Sequence, residues 1–305
     1  MSGIPWGTGA VAGGADSAYD RGIDDDLTYF SNLWETRKFS PVCHSPELWD
    51  SRAGEWIDGL NEQGEDKRGM RARAKSAAAY LRKRGLLGKG DAVIDVGCGP
   101  GLFVTEFAGT AGHVTGLDYS ARFIGHAQKY AAERGIANVT FRECDFTALD
   151  IDEAGFAGAF DLVFTSITPA ASGKGCMEKL MRMSRGFCYN ASFVYAEDNL
   201  AERVARDVFG HSYASRWDGA GFYALLNLLW LSGYYPETSY YDEDRSETVS
   251  PVPATASKLA SRCGHGGEDD ARRVLRYLEQ LGKTERRSRF RYGVILWDVT
   301  RRDLR

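Results

Sequence analysis

The chain has 305 residues, 43% of them hydrophobic and 26% charged, with a net charge of −4. That length suffices for one large α/β domain with added elements and a sizeable core, and the acidic balance argues against a surface that grips nucleic acid phosphates. Met1 to Asp20 lacks the basic start and apolar run of a secretory leader, and the longest apolar stretch, Phe222 to Leu231, is too short to span a bilayer and is interrupted by Asn227.

Residues 1–26 read as a tail, rich in Gly and Ala at its start and without a period. Residues 27–60 hold Trp34, Trp49 and Trp56 among polar residues and suit two short helices. A stronger helix runs from about Asp66 to Arg84, with Met70, Ala74, Ala77 and Leu81 on one face and Gly85 at its stop. Strand and helix then alternate. Ala92–Val96, His113–Leu117, Val139–Arg142, Phe160–Phe164 and Phe187–Val194 read as strands. Leu102–Ala108, Ala121–Arg134 and Lys174–Ser184 read as the helices between them. Beyond them, Gly221–Leu231 and Asp269–Leu281 are helical, Pro236–Tyr241 and Tyr292–Val299 are strands, and residues 242–268 look like a polar loop. Alternation of this kind implies a doubly wound, mostly parallel sheet, here of seven strands, with helices on both faces.

The informative segment is Asp95-Val96-Gly97-Cys98-Gly99-Pro100-Gly101, which follows a strand and opens a helix. Glycines there let the backbone turn tightly and approach a ligand with no Cβ in the way. Asp118 ends the second strand, where a carboxylate can accept both hydroxyls of a ribose. A nicotinamide fingerprint, G-x-G-x-x-G, does not fit, because counting from Gly97 its third glycine would fall on Leu102.

The stretches VIDVGCGPG, VTGLDYS, ECDF and FDLVFTS lie in order between residues 93 and 166. In them the chain resembles the class I S-adenosylmethionine-dependent methyltransferases. The resemblance implies a Rossmann-like methyltransferase fold and S-adenosylmethionine as cofactor. It implies that Asp95, Gly97, Gly99 and Gly101 lie against the methionine part of the cofactor, with Cys98 among them as a small space-filling residue of the cofactor-binding loop rather than a nucleophile. Asp118 would hold the ribose with Tyr119 beside the adenine, Asp145 and Phe146 would meet the adenine amino group, and Thr165 would complete the set. Residues 27–305 would then form one methyltransferase domain, with a cofactor-binding core over about 66–195. Segments 27–65 and 200–285 would cover the carboxyl end of the sheet.

The acceptor should meet the loop after the fourth strand, where Ser166 and Thr168 are candidates. That loop lacks the Asp/Asn-Pro-Pro-aromatic signature of base-amine methyltransferases, and it lacks the histidine that often follows this strand in small-molecule relatives, so no catalytic residue is assigned. Trp49 and Trp56, seven apart, would share one helix face as a lid over the acceptor or as plain packing. His44 and His211 lie outside the sheet and suit surface or packing roles better than catalysis. Residues 67–84 and 286–291 carry two basic groups, which suit solvated faces, an anion pocket or an RNA face. Six cysteines show no C-x-x-C spacing, and Cys263 with His265 alone makes no metal site. Reduced thiols in a cytoplasmic protein are the simplest reading. The leading function is methyl transfer to a small-molecule acceptor, with no membrane and no nucleic acid partner. An RNA methyltransferase and a non-catalytic S-adenosylmethionine-binding protein stand as alternatives.

Overall fold

The computed structural model describes residues 22–36, 45–60, 69–213, 215, 218–264 and 266–303. Val93, Ile94 and Val96 have no exposed surface. A strand buried on both faces is what the middle of a parallel sheet requires. This strand, β1 (Ala92–Val96), pairs in parallel with β2 (His113–Asp118) on one side and β4 (Phe160–Ser166) on the other. β3 (Val139–Glu143) lies beyond β2 and β5 (Ser184–Asp198) beyond β4, both parallel. β7 (Thr284–Asp298) runs antiparallel to β5, and β6 (Glu237–Val249) antiparallel to β7. The seven-stranded order is β3-β2-β1-β4-β5-β7-β6. The expected doubly wound, mostly parallel sheet is present, with its order reversing between β1 and β4, where such sheets open a crevice for ligands.

Helices bury their apolar faces on both sides. α3 (Met70–Lys83), α4 (Leu102–Ala108) and α5 (Ala121–Glu133) contribute Leu81, Phe107 and Ile124 to one layer. α6 (Lys174–Met183), α8 (Ala220–Leu231) and α1 (Ile23–Thr36) contribute Met177, Leu225 and Trp34 to the other. α2 (Pro46–Asp58) sits at the start of α5 rather than on the sheet.

Three expectations are corrected. α1 begins at Ile23, inside the span 1–26 expected as a tail, and residues 1–21 lie outside the described residues. The segment 242–268 is not a loop: β6 continues to Val249, and α9 (Pro253–Cys263) follows. β7 begins at Thr284, eight residues before the strand expected at Tyr292. The segment 200–285, expected as a cover, divides in two: the chain leaves the carboxyl end of β5 at Asp198 directly into a helix, and α9 is tied to α2 by Lys258–Glu55 at 2.9 Å, while α8 packs on the sheet. α8 buries Phe222, Leu225, Leu228 and Leu229 against a sheet face. α7 (Asn199–Val204), α9 and α10 (Glu268–Leu281) form a separate cluster around Leu200, Val204, Leu259, Val274 and Leu278.

The long β6–β7 ribbon also gives the second basic group its partners. Arg291 pairs with Asp242 at 2.7 Å, Arg289 with Asp244 at 2.8 Å and Arg286 with Glu247 at 2.9 Å, each with its directly opposed cross-strand residue. Arg287 pairs with Glu285 at 2.6 Å. Acids on β6 facing arginines on β7 in this way help to hold the register of the pair.

Candidate active site

β1 and β2 end side by side, and the chain leaving β1 turns at once. Gly97 and Cys98 both donate their backbone N–H groups to Leu117 O, at 2.8 and 2.9 Å. Gly97 has φ +78°, and a Cβ there would collide with the Thr168 side chain. The glycine is therefore required by the close approach of the loop after β4. Gly99, at φ +51°, differs: a Cβ there meets no atom within 4 Å. Its backbone faces open space, as a loop does when it admits a ligand. Gly101 caps α4 and packs against Ala127 and Phe141.

Asp118 organises the opposite wall. Its Oδ2 accepts from Gly99 N at 2.8 Å and its Oδ1 from Ser120 N at 3.0 Å. Burial raises its carboxyl above the usual range, against the lowering effect of those amides. Behind the loop Asp95 is fully buried, and its Oδ2 has no hydrogen-bond partner. Burial, and secondarily the Asp118 charge, pushes Asp95 well above the ordinary carboxylate range. Each oxygen of Asp118 keeps a further lone pair for a ligand hydroxyl.

After β3, Asp145 Oδ1 accepts from Thr147 N at 2.8 Å and from Thr147 Oγ1 at 2.7 Å. This Asx turn fixes the carboxylate and directs both donors to one oxygen. Phe146 is buried beside it.

These segments enclose one cavity of about 1050 Å³, its open mouth included. Gly97, Cys98, Gly99, Asp118, Tyr119, Asp145 and Phe146 line it, as do Ser166 and Thr168 after β4 and Trp49 and Trp56 from α2. Three residues expected at the cofactor do not line it. Asp95 lies behind the loop, and Gly101 faces α5 and β3. Thr165 is buried between strands, donating to Tyr189 O at 3.1 Å and accepting from Asn190 Nδ2 at 2.9 Å. The alternation of a strand turns it away from the mouth. Cys98 is buried, and burial raises its thiol far above the range of a nucleophile, so it fills space.

α2 is tied to this cavity by a polar contact as well as by apolar packing. Ser120 Oγ donates to Asp50 Oδ1 at 2.5 Å, and Arg122 Nη1 donates to Asp50 O at 2.9 Å. Trp49 and Trp56 meet edge to face at 5.9 Å, and Trp56 meets Phe123 at 6.2 Å. The helix thus lies over the mouth with two indoles toward it.

Several lining residues had no distinguishing mark in the sequence. Met70, Arg73 and Phe103 also line the cavity, and Ile167, Pro169 and Ala170 complete its lining after β4. Ile167 has φ +53°, a left-handed conformation that a β-branched residue rarely adopts. Strain of this kind is characteristic of functional loops. Arg73 pairs with Glu243 at 2.7 Å and lies over the Tyr292 ring at 5.5 Å. Its partner lies 170 positions away, beyond the reach of any local sequence pattern. Its neighbour Arg71 donates to Tyr130 Oη and Leu60 O, and Arg84 pairs with Glu237. Lys67, Arg68, His44, Cys43 and His265 lie outside the described residues. His211 contacts Ser212 O and Phe209, away from the cavity. Among the described residues no histidine lines the cavity and no group of three or more metal-ligating side chains occurs. No helix among them is long and apolar enough to cross a membrane.

A family model described as a methyltransferase domain matches residues 87–213. A ubiquinone biosynthesis O-methyltransferase of Cronobacter sakazakii is 33% identical over 132 residues, 40% of this chain and 49% of that protein. The aklanonic acid methyltransferase DauC of a Streptomyces species is 40% identical over 81 residues, 25% of this chain and 34% of that protein. The chain thus spans about half the length, or less, of these curated relatives. Among solved structures, the magnesium protoporphyrin IX methyltransferase of Synechocystis is similar with a TM-score of 0.46 at 18% identity, covering 89% of this chain and 99% of that one.

Proposed function

We propose that this chain, whose residues 87–213 match a methyltransferase domain, is a class I S-adenosylmethionine-dependent methyltransferase that transfers the methyl group of S-adenosylmethionine to a small-molecule acceptor. One observation carries the proposal: the glycine loop, Asp118 and Asp145 converge on a single cavity, and the backbone at Gly99 faces its open space. The donor set fits the cofactor. Asp118 and Asp145 offer acceptor oxygens for ribose hydroxyls and an adenine amino group.

Bound S-adenosylmethionine supplies a methyl group already activated on a sulfonium. The chain's task is then alignment and exclusion of water, which can supply much of the rate of a direct displacement. Gly97, Cys98 and Gly99 admit the methionine end, Asp118 holds the ribose, and Asp145 with Phe146 holds the adenine. Ser166, at the end of β4, and Thr168, beyond it, face the acceptor. Trp49, Trp56, Met70 and Phe103 offer it an apolar, largely aromatic wall, which suits a planar or hydrophobic small molecule better than a nucleic acid strand. The cross-strand pairing of Arg286, Arg289 and Arg291 supports the same choice. The test is turnover: incubation with S-adenosylmethionine and a pooled metabolite extract should release S-adenosylhomocysteine together with one new methylated product. Tight cofactor binding with no turnover across extracts would favour a non-catalytic binder.

A further inference from the structure

We propose that Lys179 is a positioning residue for adenine recognition, its ammonium serving as the hub that shapes the Asp145–Leu149 turn. The inference rests on the cofactor reading above and deepens it. Lys179 stands on α6, the helix that follows the loop lining the acceptor side, and is remote in sequence from β3. Yet its Nζ donates to three backbone carbonyls of one turn: Phe146 O at 2.9 Å, Thr147 O at 3.0 Å and Leu149 O at 2.8 Å. Those are the three donors an ammonium possesses. The same charge lies 5.2 Å from the centre of the Phe146 ring, within reach of a cation–π attraction.

The arrangement has a consequence for the site. Carbonyl dipoles whose oxygens converge repel one another, and two of these three bonds are partly buried. A neutral side chain could not satisfy all three, so the turn would open. The turn carries both residues assigned to the adenine. Asp145 owes its orientation to Thr147, whose N–H and Oγ1 both donate to Oδ1, and Thr147 O is one of the three carbonyls that Lys179 holds. The ammonium therefore fixes the direction in which Asp145 presents its other oxygen, and it fixes the Phe146 ring as well. Charge-assisted bonds of this type are stronger than neutral ones.

The test compares two ligands that differ at the adenine amino group, S-adenosylhomocysteine and S-inosylhomocysteine, by calorimetry with the full chain. Wild type should prefer the amino form, since Asp145 accepts from it. In Lys179→Met, affinity for S-adenosylhomocysteine should fall about tenfold, the equivalent of one charge-assisted hydrogen bond, and the preference between the ligands should shrink toward unity. At saturating cofactor, kcat should stay near wild type while KM for S-adenosylmethionine rises. Lys179→Arg keeps the charge and should retain the preference, which tests the idea even where the Met variant fails to fold. A merely structural role predicts a lower Tm with the ligand preference unchanged, and that result overturns the inference. So does an Arg variant that folds but has lost the preference. Failure of wild type to bind S-adenosylhomocysteine would overturn the cofactor reading itself, and the inference with it, and is recognisable because it precedes any mutation.

Discussion

Replacing Gly97 and Gly99 in turn by alanine should separate the cost of folding the loop from the cost of occupying its cavity. Both glycines sit in the left-handed region, at φ +78° and +51°, where a Cβ costs about 1–2 kcal/mol. Beyond that strain the two diverge. At Gly97 the new methyl would be pressed into Thr168, 2.7 Å from its Cβ, which adds roughly 1–3 kcal/mol of overpacking. Gly97→Ala should therefore lose about 2–5 kcal/mol, a large part of the usual stability of a domain. At Gly99 the methyl meets nothing within 4 Å, so Gly99→Ala should lose only the backbone strain. Its methyl would instead stand where the cofactor has to approach, and Gly99→Val should abolish binding in a protein that still folds. Urea unfolding measures the first effect and calorimetry with S-adenosylhomocysteine the second. Equal stabilities of the two alanine variants would refute the packing argument. A folded Gly99→Val protein that binds with wild-type affinity would refute the placement of the cofactor.

Asp95 provides a pH test. Burial raises its folded pKa well above the ordinary carboxylate value, so the folded state holds a proton that the unfolded state releases, and this group's contribution to stability falls as pH rises from about 4 through the folded pKa. Ligand-free Asp95→Asn should lack that slope, being more stable than wild type at pH 8 and no more stable at pH 4; parallel stability curves for the two proteins would contradict it. Trp49→Ala and Trp56→Ala test α2 as a lid: methyl transfer should fall by far more than the folded fraction, with only a modest loss of Tm, whereas a fall in proportion to the folded fraction would reduce the helix to packing.

The strands β1 to β4 and the helices between them were legible because each obeys a strong local rule. Val93, Ile94 and Val96 concentrate β-branched residues between a turn and a glycine loop, and Phe123, Ile124, Ala127 and Ala131 repeat at helical spacing before Gly135. β6 carried no such mark. It is an edge strand whose residues are mostly exposed or half-buried, so Asp242, Asp244 and Glu247 read as a polar loop until their arginine partners on β7 are known. α9 hides behind small residues: Ala256, Leu259, Ala260 and Cys263 do fall at helical spacing, but they form a weak apolar stripe. At the site, the glycine loop and the acids after β2 and β3 were visible because the chemistry needs those residue types beside strand ends. Thr165 was misplaced by one step of strand alternation. Arg73 and Lys179 were opaque for a different reason, since what gives each its place is a partner on a distant segment.

The central claim is that the cavity between the glycine loop, Asp118 and Asp145 holds S-adenosylmethionine. Calorimetric titration of wild type with S-adenosylmethionine and with NAD, repeated on Asp118→Ala, tests it most directly. The account predicts saturable binding of S-adenosylmethionine, none of NAD, and a loss of roughly 1–3 kcal/mol in the variant, the range for hydrogen bonds to a charged group. Binding of NAD in place of S-adenosylmethionine, or undiminished affinity in a folded Asp118→Ala protein, would contradict it.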